Sequence, residues 1–135
     1  MKTTGLKTIQ SYPENWTQIY TDGSAMKGTV NAGYGVKILY PEQKSEEISC
    51  PCGALCSNFE AETLSIEAAL HQVKQRYIVN NTPNANIVIF TESKSVLQAL
   101  ETDKQTTSAI RNLRLFLSKF IEDFSIKITL QWIPR

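Results

Sequence analysis

The chain has 135 residues, 41% of them hydrophobic and 20% charged, which suits one globular domain around a single core and leaves no room for two. No run of about 18 apolar residues occurs, and the start Met1-Lys2-Thr3-Thr4-Gly5-Leu6-Lys7 lacks the apolar block of a secretory signal. A membrane or secreted protein is therefore not expected, and an intracellular one, in cytoplasm or nucleus, is. The formal net charge of +1 does not announce nucleic-acid binding, which usually shows a basic excess or stripe.

Residues 1–15 are polar, contain Pro13 and show no sustained periodicity, so they read as an arm or linker ahead of a domain spanning 16–135. Trp16 to Thr21 reads as a strand, Tyr34 to Tyr40 as a second with alternating burial, and Ser45 to Cys52 as a short third. Gly23, Gly28, Asn31, Gly33 and Pro41 supply the turns between them, and three strands on short connections imply an antiparallel meander. Cys50, Cys52 and Cys56 form a Cys-Pro-Cys-x-x-x-Cys cluster whose odd number and spacing differ from paired zinc knuckles. Free, mostly buried thiols are the simpler account, with a metal site as the alternative.

Ser57-Asn58-Phe59-Glu60 has the Ser-x-x-Glu pattern of a capping box, and no proline interrupts the next two dozen residues. Phe59, Thr63, Ile66, Leu70, Val73 and Tyr77 then recur at helical spacing, so this helix packs one face on the core. His71, the only histidine, falls inside it. The run Ile87-Val88-Ile89-Phe90 has the pattern of a central strand covered on both faces and reached by a helical crossover, parallel to its neighbour. A short helix near Ser93 to Leu100 and a longer one from about Thr107 to Phe120 follow, the latter with Ile110, Leu113, Leu117 and Phe120 on one face. Ile126, Ile128, Leu130 and Trp132 alternate with polar residues, as in a strand with one packed and one open face. On the long helix, Arg111, Arg114 and Lys119 read as a solvated face rather than as phosphate contacts, and Trp132 reads as core rather than a base-stacking platform.

Asp22 follows the first strand and Glu92 follows the buried run. Open α/β sheets place their sites at the C-terminal ends of strands, where the strand order reverses, so these two carboxylates converge if their strands are neighbours. A hard divalent cation needs such clustered anionic oxygens. The helix offers Glu60, Glu62 and Glu67 as a third acid. At about 100° per residue, Glu62 lies roughly 60° from the centre of the buried face, and Glu60 and Glu67 roughly 80–100° away on its other flank. Glu60 also has the structural task of completing the capping box, which leaves Glu62 as the better candidate.

Thr21-Asp22-Gly23-Ser24 alone is an ordinary turn signal. Together with Asn58-x-x-x-Glu62 opening a helix, Thr91-Glu92-Ser93-Lys94-Ser95 after a buried strand, and Gln131-Trp132-Ile133-Pro134, it resembles the ribonuclease H family in sequence, spacing and element order, from about Tyr20 to Arg135. The likeness is nearest to the ribonuclease H domains of non-LTR retrotransposon polyproteins, on Tyr20 to Ser24 and Phe59 to Glu62. It implies an α/β fold with a mixed five-stranded sheet, three strands as an antiparallel meander plus two parallel strands, flanked by helices. It further implies hydrolysis of the RNA strand of an RNA–DNA hybrid with two Mg²⁺ or Mn²⁺ ions. Asp22, Glu62 and Glu92 would occupy the catalytic, metal-binding positions, and Ser24 and Asn58 the positions that contact the hybrid. A reverse transcriptase domain of the same polyprotein is an implied partner, and the domain itself is expected to be monomeric.

Two departures from the family pattern bear on activity. Aspartate is usual where Glu92 stands, and errors of about 1 Å in a reacting constellation can cost on the order of a hundredfold. The family also continues past Trp-Ile-Pro to a histidine loop and a last helix with a fourth aspartate, whereas this sequence stops at Arg135. The expectation is a chain that folds without its last helix and cuts weakly or not at all. An inactive ribonuclease H-like module that binds nucleic acid or braces a neighbouring polymerase is the alternative. A small-molecule phosphotransferase with Asp22 as nucleophile is a third reading, disfavoured by the antiparallel opening.

Overall fold

Alternating side chains draw the first part of the chain into three strands, β1 (Thr17–Asp22), β2 (Ala32–Leu39) and β3 (Ser45–Gly53). Helix α1 (Asn58–Asn80) follows, then β4 (Ile87–Thr91), α2 (Lys94–Glu101), α3 (Ser108–Phe124) and β5 (Ile128–Trp132). The computed structural model describes residues 13, 15–22, 32–41, 44–53, 58–80, 85–102 and 107–134, with the backbone alone at 22, 32–34, 50–53, 58 and 80. Ser57 of the expected capping box, Cys56 and the side chains of Cys50 and Cys52 lie outside the described residues, as does nearly all of the 1–15 arm.

The five strands form one mixed sheet in the order β3-β2-β1-β4-β5. β1 pairs antiparallel with β2, and β2 with β3, which is the expected meander. β4 lies parallel to both β1 and β5. It is interior to the sheet and buried at all five positions, as its unbroken apolar run implies.

One face of the sheet carries Ile19, Val36, Ile38, Ile87 and Ile89, and against it pack Ile66, Ala69, Leu70, Val73 and Tyr77 of α1 with Ile110, Leu113 and Phe120 of α3. The predicted inner face of α1 is buried from Thr63 to Tyr77, with Phe59 half-buried at its start. On the opposite face Phe90 stacks on Tyr20, ring centroids 4.9 Å apart. Helices α2 and α3 are capped at their N-termini by side chains. Ser93 accepts from the Val96 N–H at 3.2 Å and Thr107 from the Ile110 N–H at 3.2 Å, the kind of cap whose loss costs about 1 kcal/mol.

Three segments differ from the sequence reading. Helix α3 runs to Phe124 and closes on Ser125 in the left-handed region, φ 52°, whose N–H returns to the Ile121 carbonyl. Buried Ile126 belongs to that helix end, its N–H also directed at Ile121 O, and not to the strand that follows. β5 is half-buried throughout rather than open on one face, because it is an edge strand with β4 as its partner. Arg114 is not solvated: its guanidinium donates to the Ala99, Leu100 and Thr102 carbonyls and so closes the C-terminal end of α2, while Arg111 and Lys119 are exposed.

Tyr77 ties α1 to the sheet. It donates to the Ala85 carbonyl at 2.9 Å and shares a hydrogen bond of 2.7 Å with buried Thr17. Burial pushes its hydroxyl up to about 12 from 10.0. The folded state thus keeps this proton to higher pH than the unfolded chain, so the contribution is complete below about pH 10 and is lost as pH rises toward about 12. Tyr77→Phe should lower stability near neutral pH by about 1–3 kcal/mol and flatten the alkaline part of the profile, measured by urea unfolding across pH.

Candidate active site

β1 and β4 run side by side in the same direction, with Ile19 opposite Ile89 and Tyr20 opposite Phe90. One residue further along each strand come Thr21 and Thr91, both buried, and then Asp22 and Glu92. The two acids singled out in the sequence therefore leave neighbouring strands at the same edge of the sheet. Asp22 is placed by its backbone, opposite Gly35 of β2, and its side chain lies outside the described residues. The Glu92 side chain is exposed.

The helix completes the arrangement. Ala61, Thr63 and Ser65 are small and buried, and the Thr63 and Ser65 hydroxyls fold back onto the Phe59 and Glu62 carbonyls, which lets the first turns of α1 lie close to the strand ends. Glu62 reaches β4: its Oε1 accepts a 2.8 Å hydrogen bond from Thr91 Oγ1, which itself accepts from the Ser93 N–H at 3.1 Å. Of the competing acids, Glu60 is exposed, and Glu67 turns to the surface, 3.7 Å from His71.

Desolvation raises the pKa of the Glu62 carboxyl above 4.5, and the negative charge of Glu92 adds to the rise, against the nearby hydroxyls of Thr91, Ser93 and Thr21. The Thr21 hydroxyl is buried and makes no hydrogen bond of normal geometry among the described residues. Nor does Glu62 form an ion pair among them. Neighbouring carboxylates such as Glu62 and Glu92 are hard-oxygen donors of the kind that suit a divalent ion. Among the described residues no group of three or more His, Cys, Asp or Glu forms a cation-binding cluster, a set that leaves out the Asp22 carboxylate. Ser24 lies outside the described residues, and Asn58 is placed by its backbone as the first residue of α1.

The family model for RNase H matches residues 14–134. The chain belongs to the RNase H family. A comparison with curated protein sequences finds no match. Among solved structures the chain is similar to LC11-RNase H1 from compost, in complex with an RNA/DNA hybrid, at 20% identity and TM-score 0.62 over 88% of this chain and 86% of that one. RNase H1 of the archaeon Halobacterium salinarum NRC-1 is similar at 19% identity and TM-score 0.61, over 88% and 86%. A foamy viral protease-reverse transcriptase with an RNA/DNA hybrid is similar at 20% identity and TM-score 0.60, over 91% of this chain and 18% of that one. At these identities the structures speak for the shared RNase H fold. Among the described residues, no helix is long and apolar enough to cross a membrane.

The sequence reading gave Thr91 and Ser93 no role, although a hydroxyl ending a fully buried strand is a signal, since it needs a partner. Trp132 is not core, as its pattern suggests, but half-buried beside the acidic turn, its indole N–H donating to the Glu92 carbonyl at 3.1 Å. In the cation-free chain the charge on Glu62 opposes folding. Glu62→Gln, which keeps the acceptor for Thr91, should raise the melting temperature of cation-free protein at pH 7, read by differential scanning calorimetry. It should also remove any stabilisation by added Mg²⁺, which amounts to about 2.7 kcal/mol at a hundred times Kd.

Proposed function

We propose that this RNase H domain hydrolyses the RNA strand of RNA–DNA hybrids in a reaction that depends on divalent cations. The observation that carries this is the position of Glu62, a half-buried carboxylate oriented by Thr91 beside Glu92, at the sheet edge where β1 ends in Asp22. The hybrids bound by LC11-RNase H1 and by the foamy viral enzyme support the substrate class.

Asp22, Glu62 and Glu92 are the residues that would hold two Mg²⁺ or Mn²⁺ ions, and such ions supply an activated water and stabilise the leaving 3′-oxygen. The chain's own residues set the geometry. Thr91 orients the Glu62 carboxylate through Oε1, and the hydroxyls about it offset part of the desolvation that disfavours its charge. Ser24 and Asn58 contact the hybrid, where a 2′-hydroxyl distinguishes RNA from DNA. The domain comprises residues 16–135, with 1–15 as an arm, and descends from a retroelement polyprotein in which it accompanies a reverse transcriptase. The foamy viral protein, of which this chain matches 18%, supports such a fusion.

Glu92 lowers the activity. Its extra methylene moves the carboxylate by about a bond length, which the strict octahedral shell of Mg²⁺ tolerates less well than Mn²⁺ does. In a cleavage assay on a labelled hybrid, wild type should cut faster in Mn²⁺ than in Mg²⁺. Glu62→Gln should lose about a hundredfold or more, and Glu92→Asp should gain up to about a hundredfold in Mg²⁺. Undiminished cutting in chelator, or wild-type rates from Glu62→Gln, would contradict the proposal. Hybrid binding with no cutting by any variant would instead favour an inactive binding module.

A further inference from the structure

The turn that carries Glu92 is gripped by the end of β5. The Cα of Trp132 pairs with that of Thr91, and the Ile133 N–H donates to the Thr91 carbonyl at 2.9 Å. Across the turn the Trp132 Nε1–H donates to the Glu92 carbonyl at 3.1 Å. The Lys94 ammonium, at the first residue of α2, sits 4.4 Å from the centroid of the Trp132 ring, a cation–π contact. One indole therefore touches the turn on both sides of Ser93.

We infer that Trp132 is a positioning residue for the acidic turn: its N–H fixes the Glu92 peptide and its ring seats Lys94, and together these aim the Glu92 carboxylate at Glu62. The consequence for cation binding rests on the reading of Glu92 as a ligand. A glutamate has three side-chain torsions, so its carboxylate is aimed only if the backbone beneath it is fixed. The Ser93 N–H, bonded to Thr91 Oγ1, and the Ser93 cap on Val96 secure the far side of the turn, while the Glu92 carbonyl is held from β5. The same Thr91 hydroxyl donates to Glu62, so the adjacent ends of β4 and β5 hold the Glu62 carboxylate and the Glu92 backbone. Trp132 needs no contact with substrate to act in this way.

Trp132→Phe keeps an aromatic face for Lys94 and removes the donor. The full chain is compared with this variant in wild-type and Glu92→Gln backgrounds, by amide hydrogen exchange and by calorimetric titration with Mn²⁺. Trp132→Phe should speed exchange at Ser93 and Lys94 and weaken Mn²⁺ by about tenfold or more, with no further loss once Glu92 is Gln. Unchanged exchange, or an equal loss of affinity in the Glu92→Gln background, overturns the inference. Should the variant fail to fold, the wild type still decides: the Trp132 indole N–H should be protected from exchange and should shift in ¹H–¹⁵N spectra on Mn²⁺-free Mg²⁺ titration, while that of Trp16 does not. An unprotected Trp132 indole overturns the inference. If no cation binds, the nuclease reading fails, and exchange at Ser93 and at the indole still judges the grip on the turn.

Discussion

The hydrogen bond from Thr91 to Glu62 joins the end of the buried strand β4 to the first turns of α1, and the candidate site depends on it. Thr91 is fully buried, so its hydroxyl must find a partner or cost free energy. Glu62 is the partner, at the price of desolvating a carboxylate next to Glu92. The pair is thus tolerable rather than comfortable, which is the usual condition of groups arranged to meet a ligand rather than to stabilise a fold.

The sheet explains why the pair stands where it does. β1 has an antiparallel partner on one side and a parallel partner on the other, so the chain must cross from β3 to β4 through a helix. That helix is α1, held to the sheet by Thr17 and Ala85 through Tyr77 near its C-terminal end and by Glu62 through Thr91 near its start. Further over, Arg76 pairs with Glu46 of β3 at 3.4 Å and lies over the Tyr40 ring. These contacts fix the helix along the sheet, and the apolar face between them supplies the burial that holds it there.

Much of this was legible in the sequence because it rests on periodicity. The inner face of α1 from Thr63 to Tyr77, the buried run of β4 and the meander of β1 to β3 follow from spacing alone. Glu62 could be chosen over Glu60 by its angle on the helix, and its bond to Thr91 puts it at the strand ends where that angle pointed. Contacts between residues far apart in the chain left no such trace. Arg114 looks like any exposed arginine until α2 ends beside it, and Trp132 looks like core until its indole meets a carbonyl 40 positions earlier. Helix ends are also hard to read from sequence, as at Ile126, because a serine in the left-handed region gives no glycine signal.

On the proposed reading, Asp22, Glu62 and Glu92 would together hold a divalent cation at this end of β1 and β4. A crystal of the chain soaked in Mn²⁺, with data collected for anomalous scattering, tests it most directly. Manganese should appear in contact with the Glu62 carboxylate and with Asp22 or Glu92, while Thr91 keeps its hydrogen bond to Glu62. Manganese bound only elsewhere on the surface, or none at all with the three carboxylates turned apart, would contradict it.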